Sequence, residues 1–353
     1  VNAARNRWQL HGLNNGTIFT LTYKGVSRLP APVSYGIGHV GTWLAYRLMP
    51  QTTSALIENL RVVRPDLDEQ GLRRLALSTY RHYARDVIDF IRSLTMSEDQ
   101  VERLFTWNGR ALYEAVRAEA RGMLLVTAHF GNWEIGAVLL RHIGCPLDVV
   151  VMPEADERVN ELRRRFRESL GAGTIEVRQS MSTPLQIRDR LAANHAVAML
   201  MDRHVERDRV PVRFFGRDVY FLRAPALLAY LTGAPLVPCF LVRQADGTYR
   251  TTVEQPIEID RSVDRDTGVQ RAAQAFAAIL ERHIRETPEC WYQFYRYWAD
   301  QELASRNEES PGVRLSAGAE AQASHGNGRS AARGEAAPQS SHVGPGLHAP
   351  ADK

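Results

Sequence analysis

The sequence predicts an α/β fold: a mixed, largely parallel central sheet flanked by helices, with a helical N-terminal region. Three observations carry this. From residue 122 onward, short apolar runs alternate with amphipathic stretches, the pattern of strand–helix units. The last strand-like runs follow one another without an intervening helix, which suits antiparallel strands at one side of the sheet. Residues 54–93 carry helical periodicity only. With 44% apolar and 24% charged residues, a chain of 353 residues can bury a sizeable core as one large domain or two ordinary ones.

Taken in order, residues 17–50 are aromatic and apolar but interrupted by Pro30, Pro32 and several glycines. Their second part, GIGHVGTWLAYRLM, reads as an amphipathic helix with Trp43, Tyr46 and Arg47 near one end. Trp, Tyr and Arg are what an interfacial helix sets at head-group level, and the same pattern suits a helix packed on the core. Two helices follow, SALIENLRVV and DEQGLRRLALSTYRHYARDVIDFIRSL, the second capped by Asp68. GMLLVTAH is a strand, and NWEIGAVLLRHIG is a helix with Asn132 as cap and Gly144 as stop. LDVVVM, TIEV and AVAMLMD are strands; ERVNELRRRFRESLG and TPLQIRDRLAANH are helices between them. VPVRFF, a helix from Ala224 to about Thr232, the strands PLVPCFLVR and GTYRTTVEQ, and a long helix over 265–286 complete the pattern. The region from 304 to 353 is rich in Gly, Ser, Ala, Pro and His without apolar periodicity, and is expected to be a disordered tail.

The formal charge is +4 and the sequence pI about 9.0, and nearly all the positive charge is arginine, since Lys24 and Lys353 are the only lysines. Arginine forks match carboxylate and phosphate oxygens, which suits an anionic substrate or membrane surface; an arginine-for-lysine coding bias gives the same composition. Cys145, Cys239 and Cys290 are widely spaced and odd in number, neither a disulfide framework nor a zinc pattern. They fit a reducing compartment. No apolar run reaches about 18 residues, so no spanning helix is expected, and the first residues are too polar for a secretory signal.

The most informative stretch is VTAHFGNWEIG, residues 126–136. His129 follows an apolar strand, the place where active groups of α/β folds sit. Glu134 lies five positions on, past a Phe-Gly turn, at the start of a helix whose dipole favours its ionised form. A carboxylate on one ring nitrogen fixes the tautomer and leaves the other as a base. The spacing alone also fits a histidine in a turn beside an acid that merely complements the dipole. Two other patterns carry less. Gly36, Gly38 and Gly41 spell the dinucleotide fingerprint, but no βαβ unit surrounds them. His204 beside Asp202 lacks the rest of a metal ligand set, and the aromatic cluster from Trp291 to Trp298 has only Arg296 interleaved, too little for nucleic acid.

His-Phe-Gly-Asn-Trp-Glu resembles the His-x4-Asp/Glu signature of membrane-lipid acyltransferases. Its surroundings resemble the bacterial lipid A late acyltransferases (lauroyl and myristoyl transferases) and the related phosphatidylinositol mannoside acyltransferases. RESLG at 167–171, the strand end Met201-Asp202-Arg203, VPVRFFG at 210–216, RAPALLAYLTGAPLVP at 223–238 and ECWYQFYR at 289–296 continue the likeness over roughly 50–300. The combined order is specific; no single piece is. Two departures matter. That family usually opens with a hydrophobic anchor, whereas here the corresponding segment is broken, which implies a peripheral attachment. Arg203 stands where lipid A enzymes often carry Gln, which looks closer to the mannoside-lipid branch.

The resemblance implies a glycerolipid-acyltransferase-like fold divided into a membrane-associating segment at 1–50, an acyltransferase domain at 51–303 and the tail. It implies an O-acyltransferase moving a fatty acyl group from acyl-CoA or acyl carrier protein to a hydroxyl of a membrane glycolipid or phospholipid. His129 would be the base and Glu134 its orienter. Arg167, Asp202, Arg203, Gly131 and Asn132 are the candidate substrate-binding residues. Arg167 suits an oxyanion or phosphate, or simply a solvated basic helix face. Asp202 suits a contact to His129, to an acceptor sugar, or to Arg203. Backbone N–H groups near Gly131 are further oxyanion donors. Residues 223–240 and 291–298 are candidates for the wall of an acyl tunnel. No metal, no cofactor beyond the thioester co-substrate and no nucleic-acid partner is expected. The expected place is the cytoplasmic face of the inner membrane. The alternative is a lipid-binding protein on the same scaffold without transfer.

Overall fold

The computed structural model describes residues 16–302 except 154–156, 178–181 and 206–207, so the tail reading and that of the first fifteen residues lie outside the described residues. Helices α1 (Gly16–Val26), α2 (Ala31–Leu48), α3 (Pro50–Val63) and α4 (Glu69–Ser93) come first. Pro30, Pro32 and Pro50 stand at helix starts, where the missing N–H costs nothing. Asp68 caps α4 by accepting from Gly71 N, at 2.7 Å, as its position predicted. The Gly-x-Gly-x-x-Gly segment lies inside α2. There Gly38 gives room to α4: a Cβ on it would meet Ile88 Cδ1 at 2.7 Å. The other face of α2 is apolar and open; Val33, Ile37, Val40, Trp43, Leu44 and Leu48 are all exposed.

The order continues with α5 (Glu98–Leu104), β1 (Phe105–Asn108), α6 (Arg110–Ala118), β2 (Met123–Thr127), α7 (Gly136–His142), β3 (Leu147–Val151), α8 (Glu157–Ser169) and β4 (Gly173–Glu176). Then come α9 (Ser182–Ala192), β5 (Ala196–Leu200), β6 (Arg209–Phe214), β7 (Arg217–Leu222), α10 (Ala224–Thr232), β8 (Leu236–Arg243), β9 (Tyr249–Val253) and α11 (Arg265–Glu286). A 3₁₀ turn, Pro288–Cys290, follows. Seven strands form one sheet in the order β1-β9-β8-β2-β5-β3-β4, parallel throughout except β8–β9. β6 and β7 form a separate antiparallel hairpin. The α/β class and the mixed, mostly parallel sheet are those the sequence predicts. β1 and β7 are additions: β1 is only four residues long, and β7 opens on the exposed pair Arg217-Asp218, leaving a short apolar run directly before a helix.

β2 sits in the middle of the sheet, between β8 and β5. Its burial pattern is nearly continuous, as expected for a strand covered on both faces. The register against β5 fixes the chemistry: Thr127 pairs with Leu200, so the residue two beyond each strand end, His129 on one side and Asp202 on the other, emerge side by side. One face of the sheet shares its core with α9, α10, α11 and the aromatic residues Phe214, Phe221, Trp291 and Tyr297. Residues 291–298, considered as a tunnel wall, are largely buried here: Trp291 and Tyr297 are fully so and pack ring against ring, 5.1 Å apart.

The turn after His129 depends on Gly131. Its φ is +62°, and a Cβ there would lie 2.2 Å from the backbone oxygen of Leu241. Both the left-handed backbone and the close approach demand glycine. Gly131→Ala is expected to cost about 1–3 kcal/mol or more, read as a lower urea midpoint. An unchanged midpoint would contradict that account.

Candidate active site

His129 is held from three directions. Its backbone N–H lies 3.2 Å from each oxygen of Asp202, its Nδ1 lies 2.8 Å from Asp202 Oδ1, and its carbonyl accepts from Tyr292 N at 2.8 Å. The Trp133 ring stands edge-on to the imidazole, centroids 5.3 Å apart. The side chain is 17% exposed, enough for one edge to meet a ligand. Nδ1–H donated to the carboxylate leaves the lone pair on Nε2, the atom a base needs.

Asp202 is fully buried, and a buried carboxylate is tolerable only when hydrogen-bonded. Besides His129 it accepts from Gln293 Nε2 at 2.7 Å. Gln293 in turn accepts from Arg203 Nε at 3.0 Å, and Tyr297 O–H donates to the Asp202 carbonyl at 3.0 Å. Burial works against the ionised carboxyl, but the charge and hydrogen bonds of His129, then Arg203, hold it below the usual carboxylate range. Burial, then Arg203, lowers the His129 pKa, outweighing Asp202, which pulls upward. The pair is therefore a neutral imidazole on an ionised aspartate near pH 7.

This corrects the expected role of Glu134. The carboxylate on Nδ1 belongs to Asp202, 73 residues away in sequence. Glu134 lies in the turn before α7 and faces Arg163 of α8, Oε1 to Nη1 4.0 Å. The physical reason is the sheet register: β5 delivers Asp202 beside His129, while the turn swings Glu134 toward α8.

Gly131 and Asn132 are corrected as substrate contacts. Gly131 N donates to Cys290 O at 2.9 Å and Asn132 N to Leu241 O at 2.8 Å, so these N–H groups are spent inside the fold. The Asn132 side chain is buried, donating to Asp86 O and to Tyr249 Oη and accepting from Ile135 N. That last bond closes the turn ahead of α7; the helix itself starts at Gly136 with Ile135 at its N-cap and no side-chain cap bond, so Asn132 is not the cap the sequence predicts. Arg203 braces Gln293 and the carbonyl of Tyr292, with its guanidinium 5.1 Å over the Tyr295 ring. Arg167 is buried in the last turn of α8. The arginine of that helix whose charge acts on His129 is Arg163, one turn earlier.

Gln293, Trp133 and Arg163 are the site residues that sequence reasoning missed. The structure ties the segment carrying Gln293 to the His129 turn through the Phe130–Trp291 bridge. Its signal in the sequence is a lone amide inside an aromatic run, where a side chain bound for the core needs a polar partner.

A neutral histidine held by a buried carboxylate, at the carboxyl end of a central parallel strand, suits the class of enzymes that take a proton from an attacking group. Similarity narrows that class to acyltransferases. The chain belongs to the bacterial lipid A biosynthesis acyltransferase family, whose model matches residues 13–300. It is 27% identical over 286 residues to the phosphatidylinositol mannoside acyltransferase of Mycolicibacterium smegmatis, covering 74% of this chain and 90% of that one. The protein of that name from Mycobacterium tuberculosis is 25% identical over 240 residues, 66% and 72% of the two chains. The lipid A biosynthesis lauroyltransferase of Escherichia coli is 26% identical over 291 residues, 79% and 91%.

Proposed function

We propose that the protein transfers a fatty acyl group from acyl-CoA or acyl carrier protein to a hydroxyl of a membrane glycolipid or phospholipid, of the lipid A or mannoside-lipid kind. The observation that carries this is the His129–Asp202 contact of 2.8 Å in a site where the imidazole stays neutral. Nε2 takes the acceptor hydroxyl proton as its oxygen attacks the thioester carbonyl carbon. Asp202 stabilises the imidazolium that forms. The tetrahedral oxyanion then collapses, the C–S bond breaks, and the leaving thiolate takes the proton back from Nε2. Arg163, steadied by Glu134, supplies the positive charge for the oxyanion. This replaces the backbone donors near Gly131.

The test is direct. Purified protein, radiolabelled acyl-CoA or acyl carrier protein, and each lipid class are incubated and the lipids extracted. Label in one lipid class is the expected result. Thioester left intact with lipid nonetheless retained by the protein would replace this reading with that of a lipid carrier.

The contact with the membrane is peripheral in this reading, on the cytoplasmic face of the inner membrane, where the free cysteines stay reduced. Among the described residues no helix is long and apolar enough to cross a bilayer. Support comes from the open face of α2, where Val33, Ile37, Val40, Leu44 and Leu48 recur at helical spacing. Trp43 lies beside this stripe with Arg47 over its ring at 5.2 Å, an apolar body with a cationic tip at the interface. Ile37→Glu with Val40→Glu is expected to lower binding to anionic phospholipid vesicles by at least about tenfold, since burying each side chain contributes roughly 1.5–3 kcal/mol. Sedimentation with vesicles measures this; unchanged binding would remove α2 from the contact.

A further inference from the structure

Behind the site lies a buried polar cluster that the mechanism above does not use. Asp86 and Asp89, one turn apart on α4, are both buried. Tyr249 Oη of β9 lies 2.9 Å from Asp86 Oδ1 and 2.8 Å from Asp89 Oδ2. Tyr292 O–H donates to Asp86 Oδ2 at 2.5 Å. Asp89 also accepts from Arg243 Nε at 2.7 Å and from the Tyr35 hydroxyl.

Two bonds tie this cluster to the turn that carries His129. Tyr292 donates its backbone N–H to the His129 carbonyl at 2.8 Å. The Asn132 amide reaches the Asp86 carbonyl at 2.9 Å and Tyr249 Oη at 3.0 Å. Asp86 thus grips the turn at both ends.

A count of protons says how. Tyr249 has one hydroxyl proton and stands between two carboxyl groups. Arg243 sits on Asp89, which is the ionised one. A protonated Asp86 completes the set. It donates to Tyr249 Oη, Tyr249 donates to Asp89, and Tyr292 donates to the other Asp86 oxygen. Without that proton, the single hydroxyl proton of Tyr249 faces two carboxylate oxygens at once in a dry pocket.

We propose that Asp86, holding a proton, is the positioning residue that fixes the His129 turn, and that acyl transfer falls when this proton is lost. The inference rests on the acyl-transfer reading of the site. Burial pushes the Asp86 carboxyl up to about 7; the tyrosine hydrogen bonds oppose this, Asp89 adds to it, and Arg243 opposes it weakly. Arg85 and Glu289 are the further charged groups here, both acting on His82, and Glu289 on Cys290 as well. Burial keeps His82 of α4 below its ordinary value and holds the Cys290 thiol and the Tyr292 hydroxyl well above theirs. Burial likewise raises the Tyr249 hydroxyl, and burial, then Asp89, raises that of Tyr35 on α2. The sign follows: the folded chain keeps a proton that the unfolded chain loses near pH 4, so this contribution to stability fades as pH rises from about 4 to about 7.

The test uses the full chain as wild type, Asp86→Asn, Asp86→Ala and Tyr292→Phe, with acyl thioester turnover followed from pH 6 to 9. Asn mimics the protonated acid: its amide donates to Tyr249 and its oxygen accepts from Tyr292. Asp86→Asn is expected to keep most of the wild-type kcat at pH 6.5 and to lose the decline above pH 7. Asp86→Ala is expected to lose on the order of 10²-fold in kcat with little change in KM, the effect of a misplaced base. Tyr292→Phe is expected to fall between them. A second readout needs no turnover. In ¹⁵N-histidine spectra, the His129 ring signals should show an inflection near pH 7 that Asp86→Asn removes. If the wild type transfers no acyl group to any acceptor, the acyl-transfer reading fails and the spectra alone decide this one. The proposal is overturned if Asp86→Asn keeps the wild-type pH profile, if its spectra keep the inflection, or if folded Asp86→Ala turns over at the wild-type rate.

Discussion

His129→Gln lowers kcat by about 10³–10⁴-fold while KM stays near the wild-type value, because the loss is of a group that acts only as the proton moves. Glutamine fills the same space and can still hydrogen-bond Asp202, so the fold is kept. The residual rate is that of a bound pair without a base. The wild-type acid limb supports the same assignment. Burial, then Arg203, holds the imidazole below its ordinary value of 6.5, so kcat/KM in the wild type begins to fall only below that pH. Thioester consumption across pH 4.5–8 measures both. A folded His129→Gln protein with more than about a tenth of wild-type turnover would remove His129 from the chemistry.

The second large effect is at Asp202. Asp202→Asn is expected to lower kcat by about 10²–10⁴-fold, and for a different reason. The oxygen of the introduced amide is free to keep the backbone N–H of His129 or the Gln293 amide, but its NH₂ group then faces Nδ1. That geometry forces the ring proton onto Nε2 and leaves the base pointing inward. Asp202→Ala instead leaves Gln293 Nε2 and the His129 N–H without their acceptor, so stability falls as well. Glu134→Gln acts by another route. It loosens Arg163 and so weakens the charge beside the oxyanion, but does not touch Nδ1. The acid limb therefore shifts in Asp202→Asn and only slightly in Glu134→Gln. Steady-state kinetics of the two variants, collected over the same pH range, separate the routes.

The alternation of strands and helices from residue 122 was legible because a strand covered on both faces leaves a short apolar run, and β2, β3 and β5 do so. So were the Asp68 cap and the stop at Gly144, where the backbone is left-handed. β1 escaped because four residues at a sheet edge carry too little pattern. His129 was legible from its place after a strand. Its partner was legible only as one of three readings of Asp202, because sequence neighbours suggest Glu134 while the contact with Asp202 depends on which strands lie side by side. Placing β5 next to β2 in register brings together two residues that lie the same distance beyond their strand ends. That adjacency is a property of topology, not of either segment. Gly131 and Asn132 were read as ligands for the substrate and are ligands for the fold. Their polar atoms meet Cys290, Leu241, Asp86 and Tyr249, partners from elements far away in the chain.

The open apolar face of α2 and the site are linked in the same way. Tyr46 on the inner side of α2 packs edge-on to Tyr80, which packs on Phe294; Tyr83 meets both Phe294 and Tyr292, and Tyr292 lies tilted against Trp133 beside His129. The helix that presents an apolar stripe outward thus joins, on its inner face, a continuous aromatic layer that ends beside His129.

In the proposed mechanism Asp202, and not Glu134, sets the tautomer of His129. Nitrogen-15 spectra of histidine-labelled protein at pH 7.5 test it most directly, with the His129 signals identified by their absence in His129→Gln. A neutral ring protonated on Nδ1 is expected in the wild type and in Glu134→Gln, and a switch toward the Nε2–H form in Asp202→Asn. A wild-type tautomer that survives Asp202→Asn and is lost in Glu134→Gln would contradict it.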